Sequence, residues 1–276
     1  MDTSKLGRRD DLSEHVTPSV LKRWKKEGKK ITALTAYDHT IARILDEAGI
    51  DLILVGDSLG MVVMGLPDTV GVNMDIMVYH TSIVSTAVKR AIVVSDLPFL
   101  SYHLSVSQAL ENAGRLLQEG GSKAVKLEGF RPRLVEAMVD AGIPVIGHLG
   151  MVPQSVRLTG KYRVAGRRAG EQERLQKQAE ELTEAGCCAI VLECVLPEPA
   201  RAISASLSIP TIGIGSGNGC DGQILVVHDM LGLTAAKQPR FVRCYAHLAQ
   251  EIGSAVKQYT TDVEEGTFPS DDETYQ

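Results

Sequence analysis

Short β-type apolar runs alternate with helical stretches along most of the chain, at intervals of roughly 20 to 45 residues. The runs fall at 31–36, 52–55, 92–95, 124–127, 145–148, 189–193, 211–214 and 224–227. Near-continuous apolar strands separated by helices are the mark of parallel βα units, whose sheet is covered on both faces. Eight of them favour a closed (β/α)8 barrel, the TIM-barrel architecture, over an open sheet. Helical patterns lie between them at 40–48, 75–89, 107–119, 133–141, 171–185 and 198–206, and Gly49, Gly120, Gly142 and Gly186 stand where a helix C-terminus prefers glycine. Ile41, Leu45 and Ala48 are expected to share one helical face. Thr17-Pro18 reads as an N-cap opening a short helix over about 18–28, with Lys22 to Lys30 as a solvated face. A last helix is expected over 241–259, then a polar tail over about 260–276. No linker divides the sequence, so one barrel domain over 1–276 is expected.

With 276 residues, 44% of them hydrophobic, the chain has enough apolar material for a large core. Twenty-nine basic against 34 acidic residues leave a net charge of −5, which carries no nucleic-acid footprint and points to a small-molecule partner. No run is long and apolar enough to span a membrane, and the start, MDTSKLGRRDDLSEH, lacks the apolar stretch of a secretory signal; a cytoplasmic location is expected. Cys187, Cys188, Cys194, Cys220 and Cys244 form no CxxC pair or zinc spacing and read as reduced thiols.

Four apolar runs end on or beside a carboxylate: Asp57, Asp96, Glu128 and Glu193. In a (β/α)8 barrel the C-terminal strand ends carry the chemistry. Side chains two apart on a strand point the same way, so Lys126 and Glu128 should project together into the mouth. Converging carboxylates raise one another's pKa, and a hard divalent cation relieves that; an all-oxygen set suits magnesium rather than zinc. Structural readings stand beside these: Asp57-Ser58 as a helix cap, Asp96-Leu97-Pro98 as a turn starter, Lys126 and Glu128 as an ion pair, and His148 as either an acid/base or a satisfied core histidine.

The run from Gly213 to Gly222 contains GxGxxG at Gly217, Gly219 and Gly222, but it leads into another strand instead of opening a long helix. That context argues against a dinucleotide site and for close backbone approach or tight loop geometry. The basic, glycine-flanked segment 159–168 reads either as a lid over an anionic substrate or as a solvated loop.

LVGDSLGMVVMG (54–65), VYHT (78–81), SDLPFLSY (95–102), AVKLEG (124–129), IPVIGHLGMVPQSV (143–156), GKYRVAGR (160–167), VLECV (191–195) and IPTIGIGSGNGCDGQILVVHDMLGL (209–233) resemble the ketopantoate hydroxymethyltransferase family, in its order and over nearly the whole chain. The resemblance implies a barrel of the phosphoenolpyruvate mutase/isocitrate lyase superfamily, a homo-oligomer, often a decamer, and one Mg2+ per subunit. It implies that Asp57 and Asp96 hold the metal directly and Glu128 through water. Asp57, Asp96, Ser58 and Lys126 would contact the 2-oxo acid, and Glu193 would be the catalytic acid/base, tuned by its apolar strand. The implied reaction moves a one-carbon unit from 5,10-methylenetetrahydrofolate to 3-methyl-2-oxobutanoate, giving 2-dehydropantoate for pantothenate and coenzyme A.

The chain departs from the usual family pattern at Thr69–Asn73, at Gly129-Phe130, where a glycine pair is usual, at Ser216, where alanine is usual, and in the loosely matched helix before Gly186. Two other functions compete. A folate-independent 2-oxo-acid C–C lyase or aldolase of the same superfamily would typically carry a reactive cysteine in a KKCGH-like loop, which the sequence lacks. A non-catalytic barrel serving in binding or assembly would not need the full acidic set.

Overall fold

The computed structural model describes residues 14–160, 163–168, 170–234 and 238–275. All but the last two residues of the N-terminal stretch 1–15, and Lys161 and Tyr162 of the basic segment, lie outside the described residues. Where one domain is expected, contacts group the chain into two compact units, Met1–Val226 and Val227–Gln276.

The first unit is the barrel. Strands β1 (Ile31–Thr35), β2 (Leu52–Val55), β3 (Ile92–Asp96), β4 (Ala124–Lys126), β5 (Val145–Gly150), β6 (Ala189–Glu193), β7 (Thr211–Ile214) and β8 (Gly222–Leu225) pair in chain order and close, every neighbouring pair parallel. The eighth strand thus begins two residues before the expected 224–227. Gly222 pairs with Ile31 on one side and Ile212 on the other, and a Cβ there would lie 2.5 Å from Ile31 O. A glycine read as part of a tight loop or a close backbone approach is here the residue that permits closure.

Helix α1 (Pro18–Lys26) precedes β1 and α2 (His39–Glu47) follows it. The one-turn α3 (Leu59–Val62) and α4 (Met74–Ala87) follow β2, α5 (Val106–Gln118) follows β3, and α6 (Pro132–Asp140) follows β4. The one-turn α7 (Val156–Thr159) and α8 (Glu171–Glu184) follow β5, and α9 (Pro197–Ser206) follows β6. Local chemistry starts these helices: Thr17, Asp38, Asn73 and Ser105 each accept a hydrogen bond from the backbone N–H three residues on. Asn73, at one of the departures from the family pattern, is therefore a cap. In α2 the buried residues are Ala42, Leu45 and Asp46, so the expected Ile41–Leu45–Ala48 face is rotated. The reason is Asp46, which accepts from the backbone N–H groups of Lys89, Arg90 and Ala91. After α5 the left-handed residue is Gly121, not Gly120.

Inward positions run at every second residue. Ile31 and Ala33, Leu52 and Leu54, Ile92 and Val94, Ala124, Ile146, Ala189 and Val191, Ile212 and Ile224 form one buried cluster with Val20, Leu21 and Trp24 of α1. Continuing the same two-residue step leads to Asp96, Lys126, Glu128, His148 and Glu193. The lysines of α1 and of the turn after it are not a solvated face throughout. Lys25 Nζ lies 2.7 Å from Asp221 Oδ2 and donates to Ser204 O at 2.6 Å, Lys30 Nζ donates to Cys220 O at 2.6 Å, and Lys29 sits 3.7 Å above the Trp24 ring. A buried apolar stripe seated at the strand starts carries its flanking ammonium groups within reach of those partners.

No helix separates β7 from β8. The glycine run instead lies against α9, where a Cβ at Gly219 would come within 2.8 Å of Arg201 Cβ. Tight packing, with no helix after the glycines, accounts for GxGxxG; a dinucleotide motif needs the helix. Cys187 and Cys188 are buried free thiols, pushed up to about 12 by burial, and the other three cysteines are free as well.

The second unit contains α10 (Val227–Met230) and α11 (Leu248–Glu264). The helix expected over 241–259 starts later, because Tyr245 N donates to Met230 O and Leu248 N to Leu231 O, holding 241–247 in turns. The polar tail contains a 3-10 turn, Asp271–Glu273, with Ser270 and Glu273 in a capping box. Among the described residues no helix is long and apolar enough to cross a membrane.

Trp24 is fully buried in the cluster. Trp24→Ala should cost about 3–5 kcal/mol of stability, read from urea denaturation; a loss below about 1 kcal/mol would show that α1 is not integral to the barrel core.

Candidate active site

Register brings the acids together. Asp96, the last residue of β3, is the Cα partner of Lys126 on β4, and Gly150 on β5 is the partner of Glu193 on β6. Lys126 Nζ lies 2.9 Å from Asp96 Oδ1, and the backbone N–H of Asp57 donates to Asp96 Oδ2 at 3.1 Å. Asp57, Asp96, Lys126, Glu128 and His148 are all buried, while the Glu193 side chain keeps 14% exposure. The structural alternatives can now be read against contacts. Ser58 occupies the N-cap position of α3 but makes no side-chain cap; its Oγ meets Tyr37 Oη at 2.8 Å. Asp96 bonds to Asp57, while the turn after it is closed by Ser101 N–H on Pro98 O. Lys126 pairs with Asp96, and Glu128 accepts from Gln154 N–H at 3.0 Å.

His148 belongs to the same cluster. Its Nδ1 meets Lys126 Nζ at 3.3 Å and lies 3.7 Å from Glu128 Oε1. An ammonium has only donors, so Nδ1 accepts and the ring proton sits on Nε2. Nε2 lies 3.3 Å from Glu193 Oε2 without completing a hydrogen bond. Burial, then the Lys126 charge, pushes the imidazole down, against the pull of Glu193, so it is neutral at pH 7.

Burial, then the negative charge of Asp96, pushes Asp57 up to about 7, against the opposing effects of Lys126 and Gln154. Burial and the Asp57 charge likewise hold Glu128 well above the usual carboxylate range. For Lys126 burial pulls downward, but Asp96, Glu128 and Asp57 outweigh it and raise the ammonium above its ordinary value. One buried cation thus faces three carboxylates, an excess of negative charge that a divalent cation would relieve. The donors are oxygens, which suits Mg2+, an ion commonly held by one or two carboxylates and completed by water and substrate. Among the described residues no three His, Cys, Asp or Glu side chains are gathered as a ready cage. The donor chemistry therefore fits a shared ion more than an all-protein one.

Gln154 and Tyr102 escaped the sequence expectations. Gln154 Nε2 donates to Asp57 Oδ2 at 2.8 Å and to Leu97 O at 3.0 Å, and its Oε1 accepts from Tyr102 Oη at 2.7 Å. The Tyr102 oxygen in turn accepts from Glu128 N–H at 3.2 Å. Both residues lie inside strand-end segments, SDLPFLSY and IPVIGHLGMVPQSV; a polar side chain there is a signal, but an ambiguous one without a partner to point to.

The profile of the ketopantoate hydroxymethyltransferase family matches residues 15–271. The chain belongs to that family. A 3-methyl-2-oxobutanoate hydroxymethyltransferase of Syntrophus aciditrophicus (strain SB) is 50% identical over 277 residues, covering 100% of both chains. One from Thermoanaerobacter sp. (strain X514) is 50% identical over 266 residues, 96% of this chain and 97% of the relative. Among solved structures, a phosphoenolpyruvate phosphomutase from Streptomyces platensis subsp. rosaceus superposes with TM-score 0.61 at 15% identity, covering 91% and 88%. A 2,3-dimethylmalate lyase, a PEP mutase/isocitrate lyase superfamily member, does so with 0.59 at 16%, covering 94% and 89%. These two share the fold of this chain.

Against the family pattern, Ser216 acquires a structural role. Its buried hydroxyl donates to Leu192 O at 2.7 Å and accepts from Val195 N–H at 3.0 Å, tying the backbone on both sides of Glu193-Cys194. Cys194 between them takes a left-handed φ of +50°.

A carboxyl raised from 3.8 to about 7 binds its proton more tightly in the folded state. Its contribution to stability is full below about pH 3.8 and is lost as pH rises through about 7. Metal-free protein should therefore lose urea midpoint, relative to Asp57→Asn, on going from about pH 4 to pH 7. A pH-independent difference between the two would show that Asp57 is ionised throughout.

Proposed function

We propose that the chain catalyses the hydroxymethyl transfer that its family and relatives are named for: 5,10-methylenetetrahydrofolate, water and 3-methyl-2-oxobutanoate give tetrahydrofolate and 2-dehydropantoate, on the route to pantothenate and coenzyme A. The observation that carries this reading is the buried set of Asp57, Asp96, Lys126, Glu128 and His148 beside Glu193 at the mouth of a barrel about half identical to those relatives.

Asp57 and Asp96 would hold one Mg2+ per subunit directly and Glu128 through water. Bound there, the ion supplies a Lewis acid for the oxo and carboxylate oxygens of the substrate. Lys126, held cationic by its three carboxylates, stabilises negative charge that develops on the oxo acid, and Ser58 orients it from the α3 turn. Asp57 and Asp96 would contact the same substrate oxygens. Glu193 takes the C3 proton. Its partial exposure leaves it reachable from the mouth, and the neutral His148 beside it turns its Nε2 proton toward it. Gln154 keeps Asp57 and Glu128 in place through both its side chain and its backbone. The Glu128 and Asp57 carboxyls, raised by burial, would be ionised with the cation bound.

We also infer a homo-oligomer, decameric as the family resemblance implies, acting on small molecules in the cytoplasm. Exposed Ile252, Val256, Tyr259 and Val263 stand at helical spacing on α11, which buries no residue within the chain. An apolar stripe of this kind is what a subunit contact would cover.

Glu193→Gln should fold and bind the oxo acid yet lose C3 proton exchange by about 10²-fold or more, followed by NMR in heavy water with magnesium. Exchange at the wild-type rate would assign the base elsewhere, with His148 the nearest candidate. Replacing Ile252 and Val256 together with glutamate should lower the sedimentation mass; an unchanged assembly would remove α11 from the subunit contact.

A further inference from the structure

Strand β1 brings more to the mouth than apolar residues. Its inward step, Ile31 and Ala33, continues to Thr35 and then to Tyr37 just past the strand end, and both of these are buried. The Tyr37 phenol meets Ser58 Oγ at 2.8 Å and also hydrogen-bonds the Thr35 side chain. Three hydroxyls therefore stand in a row, Thr35, Tyr37 and Ser58, from the barrel wall to the turn that follows Asp57. Ser58, at the outer end, is the one that is partly exposed.

The row is held from its backbone. His80 of α4 donates from Nδ1 to Tyr37 O at 2.6 Å, because a carbonyl can only accept, and the next residue, Asp38, caps α2 by accepting from Ile41 N–H at 2.9 Å. Gly56 makes room at the outer end, since a Cβ there would come within 2.9 Å of Ser58 Oγ. Ser58 makes no helix cap, and among the described residues its hydroxyl has no hydrogen-bond partner other than Tyr37. A serine at a helix start that forgoes the cap for a buried phenol is placed for something other than starting the helix.

A serine hydroxyl has one proton to give. Bonded to Tyr37 Oη, it can donate to the phenol or accept from it, and the second arrangement alone leaves its proton for a ligand. A phenol keeps its proton at neutral pH, so Tyr37 can supply that bond. With an anionic oxygen at Ser58 the favoured direction runs from Thr35 to Tyr37 to Ser58 to the ligand, each hydroxyl donating to the next and polarising it. Resting on the proposed role of Ser58 in holding the 2-oxo acid, we propose that Tyr37 is a positioning residue, whose phenol proton turns the Ser58 hydroxyl toward the substrate and strengthens it as a donor to the substrate's negative charge.

The test is a double-mutant cycle. Isothermal titration calorimetry, with magnesium present, measures the Kd of 3-methyl-2-oxobutanoate for the wild type, Tyr37→Phe, Ser58→Ala and the double variant, each checked for folding by circular dichroism. Tyr37→Phe should weaken binding about tenfold, the scale of a hydrogen bond to a charged group. The double variant should bind no more weakly than Ser58→Ala alone, because the phenol acts through the serine. In the transfer assay, KM for the oxo acid should rise in Tyr37→Phe while KM for 5,10-methylenetetrahydrofolate stays as in the wild type. An unchanged Kd in Tyr37→Phe, losses that add in the double variant, or a rise in both KM values would overturn the assignment and leave the transferase reading intact. A wild type that binds the oxo acid but transfers nothing would sink the transferase reading, with the binding cycle still deciding the role of Tyr37. No binding of the oxo acid to the wild type would sink both.

Discussion

The Lys126 ammonium, buried against Asp96 at 2.9 Å, is the interaction on which the barrel mouth depends. Asp57, Asp96 and Glu128 are all taken out of water there, and three carboxylates without a nearby cation would be forced into their neutral forms by burial and mutual repulsion. Lys126 offsets part of that cost, and the pairing register of β3 and β4 puts it directly opposite Asp96. Removing one member of a buried charge pair costs about 3–5 kcal/mol, because the partner is left uncompensated. The same ammonium also sets the protonation of His148, since it can only donate to Nδ1 and so leaves the ring proton facing Glu193.

The balance is deliberately incomplete in electrostatic terms. Asp57 at about 7 and a raised Glu128 mean that the protein by itself keeps some of its acid set near the neutral form. A divalent cation bound there would relieve the excess negative charge and so would couple binding at the mouth to ionisation. Gln154 keeps the geometry ready meanwhile, holding Asp57, Glu128 and Leu97 O at once. Ser216 does the corresponding work behind Glu193, where the left-handed Cys194 turns the chain away from the strand.

Away from the mouth, the barrel is closed at its other end by Trp24 and Leu21, and Lys25 on Asp221 fastens that helix to the loop before β8. The glycine run performs a packing task in the same region. Without a helix between β7 and β8, the connection must lie close to α9 and Ile31, and a side chain at Gly219 or Gly222 would collide. A motif that resembles phosphate binding in sequence is thus a consequence of a short return across the barrel wall.

By itself the sequence determined the eight-strand barrel, the Thr17 cap, the place of Asp57, Asp96, Glu128 and Glu193 at strand ends, the common direction of Lys126 and Glu128, and the family. These are written locally, in apolar periodicity, in capping residues and in long ordered motifs. What only the tertiary structure decided is who meets whom. That Lys126 takes Asp96 and not Glu128, that Gln154 and Tyr102 brace the acids, that Lys25 and Asp46 are structural bolts, and that β8 starts at Gly222 all depend on partners distant in sequence. A side chain's type and periodicity report which way it faces; its hydrogen bonds and its pKa depend on strand register and burial, which exist only once the barrel has closed.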